Sequence, residues 1–84
     1  MILLLVYMTN INIRKYLKYA DSLALEKIGS DVEVVVPLGV ESSKLFPEYK
    51  RLEFKVFLKN REEMFMNLFL KNNKIIGYDF VTKD

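Results

Sequence analysis

Three stretches toward the C-terminal end, residues 51–59, 63–70 and 74–81, alternate apolar and polar side chains and follow one another closely. Successive side chains of a strand point to opposite faces, so this period-two pattern predicts three consecutive strands. One face reads Leu52, Phe54, Val56, Leu58, Met64, Met66, Leu68, Leu70, Ile76, Tyr78 and Phe80. The opposite face holds Phe57, Phe65, Phe69, Ile75 and Val81 among Lys55, Lys59, Asn67 and Asp79. A sheet with apolar residues on both sides needs two covers, and one short helix supplies only one.

The upstream sequence offers one such helix. From Ile13 the apolar positions are 13, 16, 17, 20, 23, 24, 25 and 28, and most fall on one stripe of a 3.6-residue period. Arg14, Lys15, Lys18, Asp21 and Ser22 lie off that stripe and read as its solvated side. Thr9, Asn10 and Asn12 are good N-cap residues, because a short side-chain oxygen accepts from an orphan N–H. Gly29 supplies the C-terminal stop, since it adopts the left-handed conformation at low cost. The spacing predicts a helix over 12–28. Residues 32–36 are a valine-rich run ending at Pro37, which predicts a further strand. Residues 37–48 contain two prolines, a glycine and two serines, with no sustained period, and read as a long loop. Its four apolar residues, Leu38, Val40, Leu45 and Phe46, fit a lid that folds back or a partner contact. Asn60-Arg61 and Lys71-Asn72-Asn73 are turn sequences that would join the later strands.

The expected architecture is therefore α+β: one amphipathic helix on a four- to five-stranded, mainly antiparallel sheet. Helix-then-meander order is similar to that of the cystatin-like and nuclear-transport-factor-like folds. The similarity is one of element order, carried by no motif, so it transfers no site residue. With 84 residues the chain has room for one domain, 1–84. Residues 2–8 are an apolar run, far short of the about 20 residues of a membrane span, and they lack a signal-peptide cleavage pattern. They read as a buried strand or as an apolar entry into the helix, with Met8 an alternative start.

Composition removes several functions. Apolar residues at 51% and aromatics at 13% exclude a disordered chain. Without cysteine there is no disulfide framework and no thiolate metal site, which suits a reducing, cytoplasmic setting. Without histidine there is no side chain whose ordinary pKa lies near neutrality. The glycines are isolated, so no phosphate-cradling loop exists, and the carboxylates do not cluster as a hard-cation site requires. Ser42-Ser43-Lys44 contains the components of a Ser–Lys dyad, but an exposed loop lysine keeps its proton. Glu62-Glu63 read as solvated turn charges, and Asp79 as a cross-strand partner of Lys55 or Lys59. The chain is expected to be no enzyme and to need no cofactor or metal.

Two functions fit what is left. The first is an interaction module that forms a homodimer through the mixed sheet face, using Phe57, Phe65, Phe69, Ile75 and Val81 with Lys55 and Lys59. The alternative is single-stranded nucleic-acid binding on the same face. There Lys50, Arg51, Lys55, Lys59 and Arg61 would meet phosphates while the phenylalanines stack on bases. No membrane partner is expected.

Overall fold

A computed structural model describes residues 13–82. Helix α1 is Leu17–Lys27, and four strands follow: β1 (Val32–Ser42), β2 (Tyr49–Leu58), β3 (Glu63–Lys71) and β4 (Lys74–Thr82). They form one antiparallel sheet in sequential order, with β1 and β4 at its edges. The arrangement is α+β, a helix followed by a meander. The expected caps at Thr9, Asn10 and Asn12 and the apolar run 2–8, with its possible fifth strand, lie outside the described residues.

Residues 13–15 are helical as well, and the path is interrupted at Tyr16, whose backbone sits at φ −98, ψ 0. The Tyr16 hydroxyl donates to the Asn73 carbonyl, tying the start of α1 to the β3–β4 turn. At the other end Ile28 N–H donates to Ala24 O, and Gly29 turns the chain at φ +99, in the role expected of it. Ala20, Leu23 and Ala24 of the helix are buried in one cluster with Ile13, Val35, Leu52, Phe54, Val56, Met66, Leu68 and Leu70. Leu25, counted on the stripe, is instead 59% exposed. Lys27 stands 5.7 Å from the Tyr78 ring centroid. The Tyr78 hydroxyl, with Glu26 beside it, holds the Lys27 ammonium above its usual range.

The hairpins follow from local chemistry. Asn72 and Asn73 both have positive φ, as a two-residue turn with the twist of its flanking strands requires. Between β2 and β3, Arg61 takes the positive φ. Asn60 instead uses its side chain, donating from Nδ2 to Glu62 Oε1 at 2.6 Å and accepting from Glu62 N–H at 3.0 Å.

Two expectations are corrected. The strand expected to end at Pro37 runs on to Ser42. Proline is tolerated there because β1 is an edge strand, and a register shift between Pro37 and Gly39 absorbs the distortion. The loop shrinks to residues 43–48, closed by Phe46 N–H on Ser43 Oγ at 3.1 Å and Tyr49 N–H on Phe46 O at 2.9 Å. Of its apolar residues, Leu45 and Phe46 stand exposed and form no lid, while Val40 packs against the core.

The second correction concerns β4. Between Phe69 and Leu70 the register with β3 slips, so that Leu70 faces Ile75 while Phe69 faces Gly77. The extra residue, Ile76, reverses the alternation. Ile75, expected on the outer face, therefore packs against the core, and Ile76, expected in the core, is 58% exposed.

Candidate functional site

The sheet face opposite the buried cluster is built in cross-strand rows fixed by the register. Val34, Phe57 and Glu63 make the first; Val36, Lys55, Phe65 and Val81 the second. Gly39, Glu53, Asn67 and Asp79 make the third; Glu41, Arg51, Phe69 and Gly77 the fourth. The first two rows are apolar around the Lys55–Glu63 pair, the third is polar, and a fifth of Tyr49, Lys71 and Lys74 closes the end of the face. Phe57, Phe65 and Phe69 are half-buried by their neighbours, while Val34, Val36 and Val81 are exposed. Among the described residues the only helix contributes its buried side chains to the other side of the sheet.

Several charges on this face are answered within it. Lys55 Nζ lies 2.8 Å from Glu63 Oε1 and stands against the Phe57 and Phe65 rings at 5.4 and 5.8 Å. Arg51 Nη2 lies 3.0 Å from Glu41 Oε1. Asp79 Oδ1 accepts from Asn67 Nδ2 at 2.8 Å. The expected ion pair between Asp79 and Lys55 or Lys59 is thus not formed: Asn67 is directly opposite Asp79, and Lys55 turns to the nearer Glu63. Asn67 is itself buried, the one polar residue in that class among those described. Lys59 and Arg61 lie past the end of β2, exposed in the turn. Lys50 falls on the other parity, paired with Leu70 and Ser42.

Sequence reasoning placed Lys55, Phe57, Phe65, Phe69 and Val81 on one face, where the register also sets them. It put Ile75 there too, which packs on the core side, and Lys59, which lies in the turn beyond β2. It overlooked Val34 and Val36, although their alternation with buried Val35 was the signal. It also overlooked Glu41 and Glu63 as the carboxylates that engage Arg51 and Lys55.

At one end of the face a groove of about 540 Å³ opens between Tyr49, Arg51, Phe69 and Ile76, rimmed by Glu41 and Ser43. Ser43 Oγ is engaged by the loop's own backbone, and Lys44 is exposed. No group of three or more potential metal ligands occurs among the described residues, and no described helix is long and apolar enough to cross a membrane.

No family model matches the chain, and neither a curated protein nor a solved structure matches it.

Proposed function

We propose that this chain is a small, non-enzymatic, single-domain interaction module that pairs with a second copy of itself through the outer sheet face. The observation that carries the reading is the apolar half of that face: Val34, Val36 and Val81 exposed beside half-buried Phe57 and Phe65, with no described element over them. In this reading the amphipathic helix shelters the core side, as the shared cluster of Ala20, Leu23 and Ala24 with the sheet supports. The other side is sheltered by the partner. Covering about 400 Å² of apolar surface contributes on the order of 10 kcal/mol, comparable with the roughly 4–15 kcal/mol cost of association. The likeness to cystatin-like and nuclear-transport-factor-like folds is proposed for element order alone. A cytoplasmic setting is proposed on the absence of cysteine.

A second copy suits the charges better than nucleic acid does. Arg51 and Lys55 are each paired with a carboxylate. Glu53 and Asp79 have no cation within ion-pair distance among the described residues. With Lys71 and Lys74, which the register sets beside Tyr49 at the end of the face, the four strands carry four cations against four carboxylates, a mixed balance that gives phosphates no net attraction but complements a rotated copy of itself. The test is Val34→Lys, an exposed position opposite Phe57 that costs the monomer little. It is expected to lower the assembly state seen by light scattering. An unchanged assembly would exclude this face.

A further inference from the structure

The two edges of the sheet are not alike. On β1, Pro37 lacks an N–H, register shifts interrupt the pairing at Val32/Val34 and at Pro37/Gly39, and Glu33 and Glu41 stand exposed. These are the devices by which an edge strand refuses another strand. On β4 the one irregularity is over by Gly77, and residues 77–82 then run in unbroken register with β3. That stretch has no proline and no lysine. Its one charge, Asp79, is held by Asn67. Tyr78 and Val81 are exposed along it. Among the described residues no strand lies on the far side of β4, and no backbone bond reaches its outer edge from another element.

We infer that the outer edge of β4, residues 77–82, is a second docking surface, and that it pairs antiparallel with β4 of another copy of this chain. The pairing goes beyond the face-to-face contact and uses different atoms: backbone N–H and C=O groups instead of side chains. An antiparallel pair of identical strands is two-fold symmetric by construction. With the axis at Tyr78, Asp79 faces Gly77 of the other copy; with the axis at Phe80, it faces Val81. In neither register do like charges meet. The joined sheet has eight strands, with the outer faces of the two copies on one side. Face and edge together, with perpendicular axes, close as a tetramer: two eight-stranded sheets packed outer face to outer face.

The experiment combines sedimentation with amide exchange on the full chain. Phe57→Asp tests the face; it lies on central strand β2 opposite exposed Val34, against Lys55, the cation it would share with Glu63. Tyr78→Glu tests the edge; its carboxylate is placed to meet Lys27, which already lies against that ring. The wild type is expected to reach a tetramer at high concentration, each single variant a dimer, and the double variant a monomer. In the Phe57→Asp dimer, alternate amides of residues 77–82 should exchange about tenfold more slowly at high than at low concentration. The inference is overturned if those amides exchange at one rate at all concentrations, or if Tyr78→Glu assembles as the wild type does. Either result leaves the face reading intact. That reading fails separately, if Phe57→Asp assembles as the wild type does.

Discussion

Lys55 Nζ lies 2.8 Å from Glu63 Oε1 while standing against the rings of Phe57 and Phe65. Both charged side chains retain only about a quarter of their exposure. The pair is therefore less screened than a surface pair, and its stem covers aromatic surface as well. Lys55→Met, which keeps the stem and drops the charge, is expected to cost about 1 kcal/mol. Lys55→Glu, which sets two carboxylates side by side, is expected to cost about 2 kcal/mol. Urea unfolding at low micromolar concentration reads both, and a larger loss for Met than for Glu would contradict the assignment.

Phe54 has no exposed surface and lies opposite Pro37 and Met66, at the centre of the buried cluster. Phe54→Ala removes a ring from a site that strands on both sides keep from collapsing. The expected loss is about 3–5 kcal/mol, enough to unfold much of so small a domain at ambient temperature. Circular dichroism would report it, and a fully folded variant would contradict the core described above.

Backbone conformation gives a prediction of each sign. Gly29 has φ +99 and no atom within 4 Å of where a Cβ would sit, so Gly29→Ala should cost about 1 kcal/mol through the backbone alone. Asn73 has φ 67 in a two-residue turn where glycine is preferred. Asn73→Gly should therefore stabilise the fold by about 0.5 kcal/mol, seen as a slightly higher thermal midpoint, and leave the Tyr16 contact to its carbonyl in place.

The outer face balances its cations with carboxylates, and Arg51 and Lys55 are already paired, so a labelled single-stranded oligonucleotide should show no saturable binding at about 50 mM salt. Fluorescence anisotropy checks this. Binding that falls steeply with salt and is lost in Phe69→Ala would instead favour nucleic acid.

Much of the fold was legible because its signals are local. Gly29 ends the helix, Asn72-Asn73 makes the hairpin, and strict alternation sorts β2 and β3 into faces, each for a reason contained in a few residues. The misreadings come where local rules permit two outcomes. Pro37 breaks a central strand but not an edge strand, and edge position depends on the whole sheet. Ile75 and Ile76 exchanged faces because one extra residue reverses parity; isolated Gly77 beside them was the available signal. The candidate face was half visible. Its phenylalanines follow from alternation, whereas the choice of Glu63 over Asp79 as the partner of Lys55 depends on cross-strand register, which the sequence does not state.

The measurement that bears most directly on the central claim is sedimentation equilibrium of the wild-type chain from low micromolar to high micromolar concentration, run beside Val34→Lys and Phe57→Asp. The account predicts reversible assembly into an even-numbered oligomer, reduced in size or affinity by both substitutions. A wild-type chain that stays strictly monomeric across that range, or one whose assembly neither substitution alters, would contradict it.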